Sequence, residues 1–432
     1  MKLKVSEIIK AVDGRLVSGS EDTLVCNITT ASNLIKGEDL FVPIKGERTD
    51  GHKYIVSAFE NGAVASFTEY EDVAAVDGKP VPEGKAVILV KDSLNALLTL
   101  GTYVREKYAK IPFVGVTGSV GKTTLREMIA CALSAKYRVY STKGNANSQV
   151  GVPITVFDTD PEAEIAVVEL GISEFGEMEQ IAPVAKVDTA VFTNIGICHL
   201  AQLKTQENIL SEKMKILMGT PDGGNLVLNG EDKMLQGYDP KRDINVYYYE
   251  KADIPLSVEG DHMKLNAGAA LKVAELYGVD LEAAKEKLKE FKALKGRGER
   301  IEKDGITFID DCYNASPVSM KAALNVLSGI KAEGRKIAVL GNMHELGPEE
   351  LRLHSEIGEY IDSLNVKPDV VLTYGELAKS IAENIKSEGI TVKSFERGCL
   401  EELKKELYGM VNKGDVVLLK GSNSLKMGEL LK

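Results

Sequence analysis

The sequence predicts an α/β protein with three domains, and three observations lead to this fold class. The 432 residues are enough for about three domains. Strand and helix patterns alternate from about residue 111 to 295 and again to the end of the chain, which favours mostly parallel sheets covered by helices. A buried strand at 111–117 runs into a glycine loop and then a helix. We expect a small α/β module over 1–110, a central P-loop-type sheet with helices on both faces over 111–298, and a Rossmann-like domain over 299–432.

The composition is that of an ordinary soluble protein and argues against several functional classes. Hydrophobic residues make up 44% of the chain, and the net charge of −11 argues against nucleic acid as a partner. The first residues lack a signal-peptide core and no run approaches the roughly 18 apolar residues of a membrane span, so we expect a cytoplasmic protein without membrane insertion. The 5 cysteines are scattered without a C-x-x-C pair, which indicates reduced thiols and excludes a cysteine zinc site.

The N-terminal module is predicted to begin with a short amphipathic helix over 5–12, ended by Gly14. Short strand-like pieces follow, at 24–28, 39–44, 63–67 and 86–90. Residues 40–52, LFVPIKGERTDGH, are predicted as a strand ending in a polar loop punctuated by glycine. Such a loop either holds a polar ligand or is a solvated turn, and the residues alone leave both interpretations open.

The central domain is predicted to bind a nucleotide through the loop TGSVGKT at 117–123. Gly118 and Gly121 free the backbone to point N–H groups at an anion, and the following helix adds its partial positive end. Lys122 would reach the terminal phosphates, and the Thr123 hydroxyl would ligate Mg²⁺. The match to G-x-x-x-x-G-K-[ST] is imperfect, because Val116 stands at its first glycine. An ordinary glycine-rich turn would not explain a helix that opens with Lys-Thr-Thr.

Two polar residues follow other predicted strands of the central sheet. Glu169 follows the strand at 165–168, and the strand at 189–193 leads through Asn194 to His199. Ligands bind at the carboxyl ends of parallel strands, where the glycine loop also lies. A carboxylate and an imidazole at this edge are suitable Mg²⁺ partners beside a triphosphate. Each residue in isolation would more often be a surface acid or a satisfied loop histidine.

Lys213 and the arginines near residue 300 each admit two interpretations. Lys213 lies at the flank of a helical apolar stripe over 205–218, as a snorkelling surface lysine would. A tightly packed helix starting near Asn266 and a second helix over 281–294 precede the glycine-hinged stretch 295–300. Within that stretch, Arg297 or Arg300 either binds a phosphate or is a plain linker arginine.

The C-terminal domain is predicted from strands at 306–309, 337–340, 370–373, 391–395 and 416–419. It has no G-x-G-x-x-G fingerprint, so we predict no dinucleotide site there. Polar loops follow three of the strands, at 310–317, 341–347 and 420–424. Three such loops at one sheet edge indicate a binding face that points toward the central domain.

Together these motifs resemble the Mur ligase family, and the resemblance covers essentially the whole chain. The matching segments, in family order and spacing, are 40–52, 117–123, 144–153 (GNANSQVGVP), 168–171 (VELG), 193–200 (TNIGICHL), 310–320 (DDCYNASPVSM), 343–347 (MHELG) and 420–422 (KGS). The last three are the segments most particular to one member of the family. This combination of motifs is highly specific.

The resemblance implies an ATP-dependent amide ligase of peptidoglycan precursor synthesis that adds D-alanyl-D-alanine to a UDP-N-acetylmuramoyl tripeptide. The N-terminal domain would bind the UDP-sugar peptide and the central domain ATP, while a mobile C-terminal domain closes over ATP and the incoming amine. ATP would convert the terminal carboxylate to an acyl phosphate, which the dipeptide amine then attacks. The implied cofactors are ATP, two Mg²⁺ ions and CO₂ as a carbamate on Lys213, and the chain is expected to act as a monomer.

The resemblance also implies the site residues. The implied catalytic residues are Lys122, Glu169, His199 and Lys213. The implied metal ligands are Thr123, Glu169, His199 and carbamylated Lys213. The implied ATP-binding residues are Thr117, Gly118, Ser119, Val120, Gly121, Lys122, Thr123, Thr124, Asn266, Arg297 and Asp311. The implied substrate-binding residues are Lys45, Gly46, Asp50, His52, Asn145, Asn147, Tyr313, Asn314 and Lys420.

Several positions depart from the family pattern and leave the acceptor open. The departures lie around Thr30 and at Ser148, Ala201, Met263 and Asn423. They leave open whether the chain is a paralogue with another acceptor. Whether the third residue of the stem peptide is diaminopimelate or lysine is also open. A ligase that adds glutamate to a folate would need a different first domain, so residues 40–52 count against it. A non-catalytic nucleotide-binding regulator would be expected to lack the metal and carbamate groups, which are all present.

Overall fold

A computed structural model describes residues 1–46 and 49–432 and confirms the predicted α/β fold class. Glu47 and Arg48, inside the predicted ligand loop at 40–52, lie outside the described residues. Three larger sheets, one of five strands and two of six, follow one another along the chain. The division of the chain at 110/111 and 298/299 remains a prediction.

The N-terminal sheet has five strands in the order β2-β7-β6-β5-β4, and β1 pairs separately with β3. Strands β4 to β7 run parallel, whereas β2 is antiparallel to β7. The strands are β1 (Leu3–Lys4), β2 (Arg15–Ser18), β3 (Leu24–Val25), β4 (Asn27–Thr29), β5 (Asp39–Phe41), β6 (Ala65–Thr68) and β7 (Ala86–Leu89). The helices are α1 (Val5–Val12), α2 (Ile55–Glu60), α3 (Ala74–Asp77) and α4 (Ser93–Lys107), with short 3-10 helices at Ser32–Leu34 and Gly51–Tyr54.

The central sheet has six strands, all parallel, in the order β13-β12-β11-β8-β10-β9. The strands are β8 (Phe113–Thr117), β9 (Val139–Ser141), β10 (Ile165–Glu169), β11 (Thr189–Phe192), β12 (Gly224–Asn229) and β13 (Ile244–Tyr249). The helices are α5 (Lys122–Leu133), α6 (Gly151–Phe157), α7 (Glu177–Ala185), α8 (Leu200–Leu203), α9 (Gln206–Met214), α10 (Asp261–Leu276) and α11 (Leu281–Lys289), with a 3-10 helix at Lys215–Gly219. Alternate residues of β8, β10 and β11 enter two separate cores, one on each face, as expected of a fully covered parallel sheet.

Helix α4 joins the first two sheets. Gly101 on α4 lies so close to α6 and α7 that an added Cβ would be 2.6 Å from Pro153 Cβ and 2.8 Å from Val184 Cγ1. Apolar residues of the N-terminal sheet, α4 and one face of the central sheet therefore form one continuous core. A helix that the sequence assigns to the first domain packs on the second.

The C-terminal sheet has six strands in the order β14-β15-β19-β16-β17-β18, parallel except for the β14–β15 pair. The strands are β14 (Glu299–Lys303), β15 (Ile306–Asp311), β16 (Lys336–Gly341), β17 (Val370–Tyr374), β18 (Thr391–Phe395) and β19 (Val416–Lys420). The helices are α12 (Pro317–Gly329), α13 (Glu350–Ser363), α14 (Lys379–Glu383) and α15 (Leu400–Met410), with 3-10 helices at Gly347–Glu349, Asn423–Leu425 and Met427–Leu431. All five strands predicted for this domain are present, and β14 is added at its edge.

Some predicted helix boundaries differ from the structure. The helix after the glycine loop begins at Lys122, one turn earlier than the apolar pattern indicates, because its first turn carries the polar loop residues. The stripe at 205–218 is an α-helix only to Met214 and then a 3-10 helix, and the helix predicted over 281–294 ends at Lys289. Among the described residues, no helix is both long enough and apolar enough to cross a bilayer.

Candidate active site

A cleft of about 800 Å³ lies between the central and C-terminal sheets, where polar loops follow the carboxyl ends of the strands. Most of the predicted site residues line it: Ser119, Val120, Gly121, Lys122, Thr123, Thr124, Asn145, Asn147, Glu169, His199, Asn266, Arg297, Asp311, Tyr313, Asn314 and Lys420. The predicted site residues that do not line it are Thr117, Gly118, Lys213, Lys45, Gly46, Asp50 and His52. The structure thus brings together polar groups from two domains, as the polar loops of the C-terminal domain predicted.

Gly118 and Gly121 give the phosphate loop its shape. Their φ angles of 137° and 85° lie in the region that favours glycine. A Cβ at Gly118 would also lie 2.0 Å from Thr193 Oγ1, so this position has no room for a side chain. Any residue other than glycine at position 118 would therefore keep the loop farther from the end of the neighbouring strand.

Asn194 holds the phosphate loop from the adjacent strand end, a role that the sequence analysis missed. Its side-chain oxygen accepts a bond from Val120 N at 3.2 Å, and its Nδ2 donates to Val120 O at 3.1 Å. Its carbonyl accepts from Ser119 N at 2.9 Å. The available signal was its position directly after β11, at the same sheet edge as the loop.

The Lys122 ammonium folds back over the loop that precedes it. Its Nζ donates to Gly118 O at 2.9 Å and to Ser119 O at 3.2 Å. The side chain therefore lies over the loop in the cleft lining, with its positive charge beside backbone N–H groups that suit an anion.

Glu169 is buried at the end of β10, and three side chains hold its carboxylate. The Thr123 hydroxyl donates to Oε2 at 2.8 Å, and Asn147 Nδ2 donates to Oε1 at 2.7 Å. Arg126 Nη1 donates to Oε2 at 3.2 Å. Arg126 was missed by the sequence analysis, although it lies one helical turn after Thr123 and so shares its face of α5.

The Thr123–Glu169 pair suits a hard cation, because Mg²⁺ prefers hydroxyl and carboxylate oxygens together with phosphate oxygens. Within residues 1–46 and 49–432, no group of three or more His, Cys, Asp and Glu side chains could hold a metal ion without other ligands. Any magnesium in the cleft would thus need oxygen ligands from a nucleotide or a modified side chain as well.

Lys213 is fully buried, which contradicts the interpretation of a snorkelling surface lysine. Its Nζ has no hydrogen-bond partner. Burial, followed by repulsion from Lys122, lowers the pKa of Lys213 from 10.5 to about 8. The structure thus holds an unpaired, readily deprotonated amine near the phosphate-loop lysine.

The lowered pKa of Lys213 makes stability depend on pH with a definite sign. Between pH of about 8 and 10.5 the folded state has released a proton that the unfolded state still binds, so the free energy of unfolding should rise with pH. In CO₂-free buffer, the free energy of unfolding of the wild type should rise by up to about 3 kcal/mol relative to that of Lys213→Met across this pH window. Urea unfolding at about pH 7 and about pH 10 measures the free energy of unfolding of both proteins. Subtracting the value of the variant from that of the wild type removes the contribution of the other titrating groups, which the two proteins share. A difference that does not change with pH would contradict the assignment.

His199 contacts the C-terminal domain. Its Nδ1 lies 2.6 Å from Glu345 Oε2, close enough for an ion pair although not aligned as a hydrogen bond. This contact lowers the pKa of Glu345, against the effect of partial burial. Glu345 was not among the predicted site residues, although it lies inside the motif at 343–347.

Residues of the C-terminal domain form the far side of the cleft. The buried Lys420 donates from Nζ to Asp311 Oδ2 at 2.6 Å and to Asn314 O at 3.2 Å. The guanidinium of Arg297 lies 3.8 Å from the centre of the Tyr313 ring, and burial lowers the pKa of this arginine. Lys420 therefore orders the loop after β15, and Arg297 stacks on it from the interdomain connection.

The predicted substrate residues of the N-terminal domain form a separate cluster. Lys45 Nζ lies 2.6 Å from Glu69 Oε2, and Tyr70 OH donates to Asp50 Oδ2 at 3.0 Å. His52 is fully buried, with Nε2 accepting from Glu69 N at 3.2 Å and Nδ1 lying 2.6 Å from Asp50 Oδ1. Both nitrogens of His52 are thus engaged in holding the loop, and contact of this residue with a ligand stays a prediction.

Family models match nearly the whole chain in three segments. A model described as Mur ligase family, catalytic domain, matches residues 25–101, and one described as Mur ligase middle domain matches 116–278. A third, Mur ligase, glutamate ligase domain, matches residues 296–423.

Individual proteins are similar over the same extent. The UDP-N-acetylmuramoyl-tripeptide–D-alanyl-D-alanine ligase of Bacillus subtilis is 35% identical, covering 100% of this chain and 98% of the relative. A crystal structure of MurF from Acinetobacter baumannii superposes with a TM-score of 0.86 at 26% identity, covering 100% of this chain and 98% of the other. MurF from Thermotoga maritima, solved in complex with ADP, gives a TM-score of 0.79 at 30% identity, covering 94% and 96%.

Proposed function

Because this chain belongs to the Mur ligase family, we propose that it is an ATP-dependent amide ligase of peptidoglycan precursor synthesis. It adds D-alanyl-D-alanine to a UDP-N-acetylmuramoyl tripeptide, as the names of its full-length relatives state for those proteins. The observation that carries the proposal is the cleft, in which a phosphate loop, a buried carboxylate and a histidine of one domain face Asp311, Asn314 and Lys420 of another.

At the ATP end, the chain supplies positive charge and oriented N–H groups. The N–H groups of Gly121, Lys122 and Thr123, at the start of α5, would bind the phosphates. Lys122 would exchange its bonds to two loop carbonyls for the terminal phosphates, where it offsets charge on the transferring phosphoryl group.

Two magnesium ions fit the donor groups present. Thr123 and Glu169 would hold one, and His199 with a carbamate on Lys213 would hold the other. When bound, magnesium screens the negative charge of the triphosphate and of the incoming carboxylate. The ion at Glu169 would displace Arg126, which now donates to the same carboxylate oxygen at 3.2 Å.

The environment of Lys213 supports formation of the carbamate. Only the neutral amine attacks CO₂, and a pKa of about 8 makes that form available near neutral pH. The nitrogen lone pair forms an N–C bond, one C=O bond electron pair moves to oxygen, and a proton leaves the nitrogen. The product replaces an unpaired buried ammonium with an anion that a cation can pair.

The reaction then proceeds in two transfers. The terminal carboxylate of the tripeptide attacks the γ-phosphorus of ATP, the bond to the bridging oxygen breaks, and ADP leaves. The neutral amine of D-alanyl-D-alanine attacks the acyl carbon, the C–O bond to phosphate breaks, and the amine loses a proton. Activation is needed because direct condensation of a carboxylate with an ammonium is unfavourable in water.

The remaining assignments follow from the position of each group. Lys45, Gly46 and Asp50 would contact the UDP-sugar peptide from the N-terminal domain, with His52 holding their loop. We propose that the chain acts as a monomer. The nucleotide substrates are soluble metabolites of the cytoplasm, where we place the protein.

A turnover assay on a panel of UDP-muramoyl peptides tests this proposal. Phosphate release should require both D-alanyl-D-alanine and a UDP-muramoyl tripeptide, and tripeptides ending in diaminopimelate or lysine distinguish the third stem residue. Amine panels with single amino acids and other dipeptides decide whether the departures at Ala201, Met263 and Asn423 have changed the acceptor. Phosphate release that needs neither substrate would refute the coupling.

A further inference from the structure

His354 is a fully buried polar residue on the apolar face of α13, where Leu353 and Ile357 are its buried neighbours. An imidazole among apolar side chains is unfavourable unless its ring nitrogens have hydrogen-bond partners. Both nitrogens of His354 have one. Nδ1 lies 2.6 Å from Glu350 O, one turn earlier in the helix, and Nε2 accepts from Met343 N at 2.8 Å.

These two partners fix the form of the His354 ring. A carbonyl oxygen only accepts and a backbone N–H only donates, so the proton is on Nδ1 and the lone pair is on Nε2. Burial lowers the pKa of His354, against the effect of the bond to Glu350 O, and so favours this neutral form. The Nδ1 bond stays within α13, whereas the Nε2 bond reaches the loop that follows β16. His354 therefore ties this loop to the helix.

The loop that His354 reaches, residues 342–347, is called the β16 loop below. Its residues 344–346 line the cleft. Gly347 meets the central domain, because a Cβ at this position would lie 3.2 Å from Ala201 Cα. A shift of the β16 loop would therefore change both the C-terminal wall of the cleft and the contact between two domains.

The β16 loop also holds two neighbouring loops at the same sheet edge. Asn342 O accepts from Ser422 N at 3.1 Å, and Ser422 Oγ accepts from His344 N at 3.2 Å. The side-chain oxygen of Asn342 accepts from Ala378 N at 2.8 Å. Movement of the β16 loop would thus be transmitted to the loop after β19, next to the cleft residue Lys420.

We propose that His354 is a positioning residue for the ligase reaction, which through Met343 holds the β16 loop as the cleft wall on the side of the incoming amine. His354 itself does not line the cleft, so it acts through the loop and not on a ligand. The inference rests on the proposed function, in which the C-terminal domain closes on the amine.

Two amide variants separate the two bonds of the ring. In His354→Gln the longer side chain reaches the position of Nε2, where its oxygen can accept from Met343 N. In His354→Asn the shorter side chain reaches only the position of Nδ1, where its amide can donate to Glu350 O. The variants carry the same polar group and differ by one methylene, so only His354→Gln should keep the loop in place.

Hydrogen exchange of the Met343 amide measures the positioning without any substrate. This amide should stay protected in the wild type and in His354→Gln. In His354→Asn it should exchange at least about tenfold faster, because its buried hydrogen-bond acceptor is lost. Equal exchange rates in the two variants would overturn the proposal.

Steady-state kinetics measure the consequence for the reaction. The KM for D-alanyl-D-alanine should rise about tenfold in His354→Asn and stay within about twofold of the wild type in His354→Gln. The KM for the UDP-muramoyl tripeptide, which the N-terminal domain is proposed to bind, should change by less than about twofold in both variants. A lower kcat with an unchanged KM for the amine in His354→Asn would contradict the positioning role.

Ile361→Ala is the control for loss of packing in α13. Ile361 is fully buried in the same core, about two turns after His354. Its removal should lower the urea midpoint but leave the KM for the amine unchanged. An equal rise of this KM in Ile361→Ala would show that lost packing is sufficient and would overturn the role of His354. A wild type that turned over no UDP-muramoyl peptide would refute the proposed function, whereas exchange at Met343 would still decide whether His354 holds the loop.

Discussion

Lys122→Ala should lower the rate of phosphate release by about 10²- to 10³-fold, with both substrates present. The ammonium is the cation that the phosphate loop itself supplies, and it would interact most strongly with the phosphoryl group during transfer. We therefore expect the loss mainly in kcat, with a smaller change in KM for ATP. Steady-state kinetics of the wild type and the variant provide the measurement.

The Lys122 experiment needs a control for charge and one for folding. Lys287→Ala removes an exposed ammonium from α11 and should retain full activity. Two bonds from Lys122 to loop carbonyls are lost in Lys122→Ala, which should cost about 1–2 kcal/mol of stability and leave the protein folded. A folded Lys122→Ala variant with wild-type turnover would contradict the role of Lys122 in phosphoryl transfer, whereas a non-catalytic regulator would show no turnover in either protein.

Lys213→Met should abolish most ligase activity while leaving the protein at least as stable at neutral pH. Methionine fills a similar volume, and it removes a buried amine that has no hydrogen-bond partner. Activity should fall by at least about 10²-fold, because the proposed carbamate, which would hold a metal ion, cannot form. Turnover and urea unfolding of the same preparations separate the two effects.

The carbamate itself should be visible by ¹³C NMR after incubation with labelled bicarbonate. The wild type should show one protected carbamate signal that is missing from Lys213→Met. Lys215→Met is the matched control, since Lys215 pairs with Glu179 at 2.7 Å and Glu212 at 2.5 Å. Those contacts raise the pKa of Lys215 and keep it protonated, so its removal should not change the signal. A signal that persists in Lys213→Met would place the modification elsewhere.

Arg126 contacts the carboxylate at which the first magnesium ion is proposed to bind. Without a cation, Glu169 is held by Thr123, Asn147 and Arg126, so its charge is already paired. A metal ion at this carboxylate must compete with the guanidinium. The proposed ion would therefore bind at a carboxylate whose charge Arg126 otherwise pairs.

Local sequence predicted the elements and much of the cleft. Alternation of apolar strands and amphipathic helices indicated the three-domain α/β class, which the structure and the Mur ligase relatives confirm. The rule that polar residues gather where parallel strands end placed the phosphate loop, Glu169 and His199 together. Loop residues 119–123, Glu169 and His199 all line the cleft.

The roles of residues whose partners are distant in sequence were harder to predict. His52 looked like a ligand contact, but both its ring nitrogens are engaged inside the fold. Asn194 and Arg126 were overlooked, because their importance lies in which atoms they hold at the phosphate loop and at Glu169. Helix ends near 214 and 289 were also missed, since tertiary packing overrides propensity there.

The sequence by itself determined which residues form the phosphate loop, because Gly118 and Gly121 act through backbone conformation and Lys122 bonds to carbonyls three and four residues before it. It also determined the strands, because each carries its apolar pattern within a few consecutive residues. Only the tertiary structure decided that Lys213 is enclosed without a partner and that Glu345 meets His199. Burial and charge pairing depend on distances between segments far apart in the chain, and no local pattern encodes those distances.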